Sequence, residues 1–193
     1  TWHGTPLKLM GRDEALGAYA IGNVQKNFLC ADYLLYPNEY MKEKMFSAYM
    51  LDELYKGSVI YEGYPRNAVF FDEEKRNSKR RELGIEDKQV IVYMPTWRGR
   101  VTNPGSPSII ETVEALFEVL DNTLTDNQLF YAKFHVFTAD AISFDKYKHI
   151  KPFPSGCETY ELLNTADVLV TDYSSVFFDF ANTTLHICLF YTF

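Results

Sequence analysis

The sequence predicts an α/β fold in which short strands and helices alternate around a parallel sheet. Three observations support this prediction. Short apolar runs recur along the chain and end at Gly or Pro, as buried strands often do. Amphipathic stretches separate these runs, and parallel strands need such crossovers, which are right-handed. The composition, 47% hydrophobic and 16% aromatic over 193 residues, suffices for a sizeable core in one domain or in parts of two.

The first predicted elements lie around an apolar run that Pro37 closes. Asn38 follows and offers an N-cap to the next amphipathic stretch. Further on, a lysine- and arginine-rich stretch ends at Gly84, and we expect it to be a solvated helix because it carries so many charges. A domain boundary is expected near residues 64–70. The predicted elements are strands at 32–37 and 58–63 and helices at 39–51 and 73–83.

The second half of the chain continues the alternation. Ligands of parallel sheets bind beyond the carboxyl ends of the strands, which is where Arg98, His135 and Ser174 fall. The stretch 99–108 lacks periodicity and is predicted to be a loop. The predicted strands are 90–94, 129–134, 148–153, 167–171 and 187–191, and the predicted helices are 109–120, 158–164 and 175–181.

Charge and cysteine content exclude several classes of protein. The net charge of -7 argues against a broad nucleic-acid interface, which needs a basic face. The 3 cysteines show no metal-ligand or redox spacing, so we interpret them as buried thiols in a reducing compartment. The apolar tail 176–193 is interrupted by Asp179, Asn182 and His186, so it is not predicted to span a membrane.

Four segments place a polar group beside Gly or Pro where a strand is predicted to end, and together they indicate a phosphate-handling site. They are Trp2-His3-Gly4-Thr5-Pro6-Leu7-Lys8, Met94-Pro95-Thr96-Trp97-Arg98, Lys133-Phe134-His135 and Thr171-Asp172-Tyr173-Ser174-Ser175.

The residue types in these segments suit the chemistry of phosphate transfer. His3 is a candidate general base, with an unperturbed pKa near ~6.5; the alternative is a histidine that only bonds the adjacent turn. Ser174 and Ser175 precede a predicted helix, where hydroxyls and free N–H groups could face an anion; the alternative is an ordinary N-cap. Arg98 can grip two phosphate oxygens, and the alternative is a surface arginine.

The remaining polar residues receive other assignments. His135 ends a predicted strand, and the alternative to a ligand contact is a structural histidine. Asp172 is expected to orient its loop rather than act on substrate. A hydrolase triad of His135, Asp172 and Ser174 is disfavoured, because Asp172 stands two residues from Ser174 and is poorly placed to orient a histidine. His149 and His186 are interpreted as structural.

These segments resemble, in order and wording, the CDP-glycerol glycerophosphotransferases that build teichoic acids, and the resemblance covers nearly the whole chain. It implies a glycosyltransferase-B-like fold. Residues 1–65 would be the C-terminal part of a first, acceptor-side Rossmann-like domain, and residues 66–193 a donor-nucleotide-binding Rossmann-like domain, truncated at its C-terminus.

The resemblance also implies an activity and the residues that carry it. Glycerol phosphate would pass from CDP-glycerol to a hydroxyl of a teichoic-acid-type poly(glycerophosphate) or a lipid-linked primer, with release of CMP. His3 would be the catalytic base, with the donor pyrophosphate held by Arg98, His135, Ser174 and Ser175 and with Gly4, Thr5, Thr96 and Asp172 in support. No cofactor, metal or nucleic acid is expected.

Several alternatives stay open at this stage. A UDP-sugar glycosyltransferase of the same fold and an inactive donor-binding fragment are the other interpretations. Both ends of the sequence look cut, so we expect the chain by itself not to transfer glycerol phosphate. The sequence does not choose glycerol over ribitol, or primase over polymerase. The family implies a cytoplasmic protein, peripheral on the inner face of the cell membrane and attached through regions outside this chain.

Overall fold

The computed structural model describes residues 4–14, 21–96, 107–134 and 142–190. The chain divides into two compact units, Thr1–Ala68 and Val69–Phe193. Each unit is described by itself below. Their assignment as an acceptor-side domain and a donor-nucleotide domain stays a prediction.

The first unit contains two parallel strands covered by helices. The strands pair in register, with Tyr33 opposite Ser58 and Tyr36 opposite Tyr61. The two strands and the second helix were predicted, whereas the first helix was not. The elements of this unit are α1 (Gly22–Leu29), β1 (Tyr33–Tyr36), α2 (Glu39–Tyr49) and β2 (Ser58–Tyr61).

Local sequence explains where α2 begins and ends. The Asn38 side chain accepts a hydrogen bond of 2.9 Å from the backbone N–H of Met41, which confirms the predicted N-cap. The helix ends at Met50, which adopts a left-handed conformation with φ 53°. The apolar face of α2 packs on β1 in a buried cluster that includes Leu34, Tyr36, Met41, Met45 and Leu51.

The second unit contains the alternating helices and strands that the sequence predicts, shifted by one to three residues at most of their ends. A 3-10 helix, Pro65–Phe71, crosses the boundary between the two units. The elements that follow are α3 (Glu73–Glu82), β3 (Gln89–Met94), α4 (Pro107–Thr123), β4 (Gln128–Ala132), β5 (Ile150–Pro152), α5 (Thr159–Thr165), β6 (Val168–Thr171), α6 (Val176–Phe180) and β7 (His186–Leu189).

The described strands of the second unit form a five-stranded sheet in the order β5-β4-β3-β6-β7. Every neighbouring pair is parallel, so the predicted parallel sheet is confirmed. The chain builds outward from β3 to β5 on one side, then returns to β6 and β7 on the other. This is the strand order of a Rossmann-like sheet, and its topological switch point lies between β3 and β6.

Both faces of this sheet are covered, which explains why its strands are nearly continuous apolar runs. On one face Val90 and Val92 pack in a cluster with Leu162, Leu169 and Phe180, from α5, β6 and α6. On the other face Tyr93 packs with Phe117 of α4 and Phe130 of β4 in an aromatic cluster. The sheet therefore forms the centre of a three-layer arrangement and holds its strand ends in fixed positions.

Helix α3 corrects the expectation of a solvated helix. Arg80 is only 9% exposed. Its guanidinium donates to the backbone oxygen of Thr165 at 2.7 Å and to the carboxylate of Asp167 at 3.3 Å. Arg76 donates to the same carboxylate at 2.6 Å and to the Ala166 oxygen at 2.9 Å. Arg80 is buried and Arg76 partly buried, and both satisfy carbonyl groups at the end of α5.

The cysteines provide a second correction. Cys30 and Cys188 are exposed, and Cys157 is partly buried, so the interpretation of all three as buried thiols is wrong. The apolar runs that contain Cys30 and Cys188 lie at a helix end and on the edge strand β7, where one side of the chain faces solvent.

Candidate functional site

The candidate site lies at the carboxyl edge of the sheet in the second unit. Three of the predicted polar segments follow β3, β4 and β6, and these strands are neighbours in the sheet. Thr96 follows β3, Lys133 follows β4, and Asp172 follows β6. Segments that are far apart in sequence therefore converge at the switch point, where ligands of such sheets bind.

A hydrogen-bonded link joins the turns after β3 and β6. The carboxylate of Asp172 accepts from the backbone N–H of Thr96 at 2.7 Å and from the Thr96 hydroxyl at 2.5 Å. Just below, the Thr171 hydroxyl donates to the backbone oxygen of Met94 at 2.6 Å. Asp172 is 3% exposed, so its charge is directed into the protein. It therefore links the two turns, and its expected role in support of the donor site stays a prediction.

Ser174 and Ser175 follow this link and are both partly exposed. The Ser174 hydroxyl oxygen accepts a long hydrogen bond of 3.4 Å from the backbone N–H of Val176, and its own O–H can still donate. Ser175 stands at the N-cap position of α6 but makes no side-chain capping bond. The two hydroxyls are thus available as donors to an anion beside the β6 turn.

A buried carboxylate on helix α6, that of Asp179, bonds the helix to α5. Asp179 is 3% exposed and accepts a hydrogen bond of 2.7 Å from the Tyr160 hydroxyl of α5. Phe180, next in the chain, packs against Phe70. These contacts hold the short helix, and therefore the serine turn, against the sheet.

The other predicted site residues divide into two groups. Gly4 and Thr5 belong to the first unit and are buried. His3, Arg98 and His135 lie outside the described residues. Their expected roles stay predictions.

A family model described as CDP-Glycerol:Poly(glycerophosphate) glycerophosphotransferase matches residues 1–192. The chain belongs to this family. The resemblance carried by the four sequence segments is therefore confirmed, and the family is one of transferase enzymes.

The relatives of this glycerophosphotransferase chain are longer proteins of teichoic acid synthesis. The teichoic acid poly(glycerol phosphate) polymerase of Bacillus spizizenii is 35% identical, over 94% of this chain and 48% of the polymerase. The teichoic acid poly(ribitol-phosphate) polymerase of the same organism is 39% identical, over 64% of this chain and 21% of that protein. The chain thus spans half or less of the length of these relatives.

Solved structures confirm the fold class. The structure of a variant of the wall teichoic acid polymerase TagF soaked with CDPG covers 98% of this chain and 47% of that one, with 29% identity and a TM-score of 0.73. The expected α/β, glycosyltransferase-B-like class with a Rossmann-like parallel sheet is therefore correct for this glycerophosphotransferase chain.

One residue at the carboxyl edge received no role in the sequence analysis, although its segment was identified. Lys133 is half-buried, and burial lowers the pKa of its ammonium. It stands two residues before His135 at the end of an apolar run, and a cation in that position was the signal that could have identified it.

The amino edge of the same sheet has a different character. His149, interpreted as structural from the sequence, lies there with one ring nitrogen 3.2 Å from the Asp121 backbone oxygen and the other 3.1 Å from the Asp126 carboxylate. A surface cleft of about 360 Å³ opens beside it, lined by Lys88, Asp126, Gln128, Leu129, Lys148 and His149. Most of the polar groups of this cleft bind one another, so we do not assign the site to it.

The described part of the chain contains neither a metal-binding cluster nor a membrane-spanning helix. Within residues 4–14, 21–96, 107–134 and 142–190, His, Cys, Asp and Glu side chains form no group of three that could hold a metal ion. In the same ranges, no helix has the length and apolar character needed to cross a membrane.

Proposed function

We propose that this chain supplies the donor-binding part of an enzyme that transfers glycerol phosphate from CDP-glycerol to a hydroxyl group and releases CMP. The acceptor would be a teichoic-acid-type poly(glycerophosphate) chain or a lipid-linked primer. Membership of the family supports this reaction. The observation that carries the proposal is the Thr96–Asp172 link at the switch point, with the serine turn directly after it.

The geometry of that edge suits a diphosphate. The turns after β3 and β6 are fixed by buried hydrogen bonds, so donor groups placed on them are preorganised. Ser174 and Ser175 would donate O–H groups to the diphosphate oxygens. Arg98, which follows β3 in sequence, and His135, which follows β4, would add positive charge around the same group. Such charge is needed because the net charge of the chain is -7.

The reaction would be a direct displacement at phosphorus. His3 takes the proton of the acceptor hydroxyl, whose oxygen forms a bond to the β-phosphorus of CDP-glycerol as the bond to the α-phosphate breaks. Positive charge and hydrogen-bond donors at the departing CMP stabilise the charge that develops there. A positioned base of this kind contributes roughly 10²–10⁴-fold.

A ribitol phosphate donor is the second candidate. It is favoured by the similarity to the poly(ribitol-phosphate) polymerase, which is 39% identical over the part that matches. A UDP-sugar donor, the other enzyme interpretation, has no such support among the relatives described above. Competition between CDP-glycerol, CDP-ribitol and UDP-glucose for the chain would rank the three donors.

We also propose that the protein works at the cytoplasmic face of the cell membrane. A lipid-linked acceptor would be met there, and attachment would be peripheral. Fractionation of cells that express the protein tests this: a peripheral protein appears with membranes and is released by high salt.

Two measurements test the proposed function. Calorimetric titration of the chain with CDP-glycerol should show binding, with CMP as a competitor. In a polymer-extension assay with the teichoic acid polymerase of Bacillus spizizenii in which this chain replaces the matched segment, His3→Ala should lower turnover by about 10²-fold or more and leave donor affinity unchanged. Absence of CDP-glycerol binding by the unaltered chain, or near-normal turnover of the variant, would overturn the proposal.

A further inference from the structure

Lys133 has an unusual environment at the carboxyl edge. It is the first residue after β4, and its backbone N–H donates to the Tyr93 oxygen at 2.8 Å, which fixes its backbone. The side chain turns toward the segment after β5. There the ammonium lies 4.0 Å from the centre of the Phe153 ring and donates to the hydroxyl of Thr159.

The groups that this ammonium contacts directly are uncharged; burial lowers its pKa, and the negative charge of nearby Glu158 opposes this only in part. Neither the Phe153 ring nor the Thr159 hydroxyl carries a negative charge, and the neighbouring Glu158 carboxylate accepts the backbone N–H of Tyr160 at 2.7 Å. An ammonium has three N–H groups, so the Thr159 hydroxyl does not exhaust its capacity to donate. Holding a half-buried cation in this way costs free energy unless a ligand completes its hydrogen bonds.

Strand order shows which part of a ligand Lys133 could reach. Phe153 follows β5, which is three strands from β6 in the order β5-β4-β3-β6. Lys133 itself follows β4, two strands from β6, so at about 4.8 Å between strands its backbone lies roughly 10 Å from the strand that precedes Ser174, and its side chain is directed toward the segment after β5. A diphosphate held at the serine turn is too short to span that distance. A nucleoside attached to the diphosphate and directed along the sheet edge covers it.

We propose that Lys133 binds the nucleoside end of the donor, donating an N–H of its ammonium to the carbonyl oxygen of a pyrimidine base. This inference rests on the proposed function, because it requires a cytidine nucleotide whose diphosphate lies at Ser174 and Ser175. The pyrimidine carbonyl is a strong neutral acceptor, and its bond to a cation is a charge-assisted one. The aromatic ring of Phe153 and the hydroxyl of Thr159 position the ammonium.

Titration of the whole 193-residue chain with four ligands tests this assignment. The ligands are CDP-glycerol, CMP, cytidine and inorganic pyrophosphate. Lys133→Met keeps the apolar stem but removes the ammonium, and it should weaken binding of the three cytidine ligands by a similar factor, roughly tenfold or more. Binding of pyrophosphate should be unchanged. Lys133→Gln keeps an N–H donor and should recover part of the loss.

Lys148→Met is the matched control. Lys148 lies before β5 at the opposite edge of the sheet, where its exposed ammonium binds Asp126. This variant should bind all four ligands like the unaltered chain. Thermal unfolding of each variant shows whether it is folded, and if Lys133→Met does not fold, the Lys133→Gln titration decides the question alone.

The outcomes separate the two proposals. If the unaltered chain binds neither CDP-glycerol nor CMP, the proposed function fails and this inference fails with it. If it binds both and the Lys133 variants bind equally well, the inference alone is wrong. A loss of pyrophosphate binding as large as the loss of CMP binding would also overturn it, since Lys133 would then contact phosphate.

Discussion

The two edges of the sheet in the second unit use polar residues in opposite ways. At the amino edge, Arg76 and Arg80 donate to the last carbonyl groups of α5 and to Asp167, whose carboxylate also accepts the backbone N–H of Val90 at 2.8 Å. At the carboxyl edge, the serine hydroxyls of the β6 turn and the Lys133 ammonium retain capacity to donate. The polar groups at the amino edge therefore satisfy one another, whereas those at the carboxyl edge can still donate to a ligand.

Polar groups at the amino edge are therefore expected to contribute to folding stability, and those at the carboxyl edge to ligand binding. Groups that satisfy one another inside the protein contribute to folding and offer nothing to a ligand. Groups that are held rigidly but left with donors cost some stability and are suited to recognition. Asp172 combines both features, because its carboxylate is buried while the turns that it fixes carry the donors. Substitutions at the two edges should therefore differ in what they change.

The largest effect on stability is expected at Arg80. Arg80→Met removes a buried guanidinium that donates to Asp167, to the Thr165 oxygen and to two further backbone oxygens. The backbone oxygens lose this donor, whereas Asp167 keeps its bonds from Arg76 and from the Val90 N–H. We expect the free energy of unfolding to fall by about 3–5 kcal/mol. Chemical denaturation measures it. Arg81→Met, at the exposed neighbouring position, should change it by no more than about 0.5 kcal/mol. A loss below 1 kcal/mol for Arg80→Met would show that the Arg80 guanidinium is not needed at this edge.

Asp172→Ala is expected to have the next largest effect and to alter both properties. It removes the acceptor of the Thr96 N–H and hydroxyl, so unfolding should cost about 2 kcal/mol less. CDP-glycerol affinity should fall as well, because the two turns are no longer held together. Thr96→Val removes only the hydroxyl bond and should produce a smaller change of the same kind. Full donor affinity in Asp172→Ala would refute the positioning role.

Ser175→Ala should change binding without changing stability. Its hydroxyl makes no capping bond, so we expect the free energy of unfolding to stay within about 0.5 kcal/mol of the unaltered chain. Affinity for CDP-glycerol should fall about tenfold, the lower end for a hydrogen bond to a charged group. Titration and denaturation of the same preparation give both values. Unchanged affinity would mean that the serine turn does not hold the diphosphate.

The smallest expected effect is a loss of folding stability at low pH, caused by protonation of Asp126 at the amino edge. Lys148 and then His149 bind the Asp126 carboxylate and lower its pKa to about 2. A carboxyl group whose pKa is lower in the folded state stabilises the fold above its unfolded pKa, near ~3.9. That contribution should be lost as the pH falls from about 4 through about 2.

Asp126→Asn should remove this part of the acid transition, and its profile should be compared with that of Asp145→Asn, a change at an exposed position nearby. Acid unfolding followed by circular dichroism measures the transition. Identical profiles for Asp126→Asn and the unaltered chain would show that the ion pair is screened by solvent.

Much of the architecture could be predicted because it depends on local patterns. Apolar runs that end at Gly or Pro indicated the positions of the strands, and Asn38 indicated the start of α2. Strand ends and helix starts depend on neighbouring residues, so the sequence shows them directly. The helix α1 was missed because it has only 8 residues, so its apolar side chains Val24 and Phe28 repeat too few times to indicate a helix. The burial of Arg80 was missed for another reason: two of its partners, Thr165 and Asp167, are 85 and 87 residues away in sequence and are brought to it only by folding.

The sequence alone determined the fold class, the order of the strands along the chain, the four polar segments and the family that they resemble, because each is a property of neighbouring residues. Only the tertiary structure decided which segments meet. Thr96 and Asp172 are 76 residues apart and become partners because the chain returns to pair β6 with β3. Folding also satisfied the polar groups of the amino edge and left donors at the carboxyl edge, among them the half-buried ammonium of Lys133. Whether a donor is satisfied depends on which groups folding brings beside it.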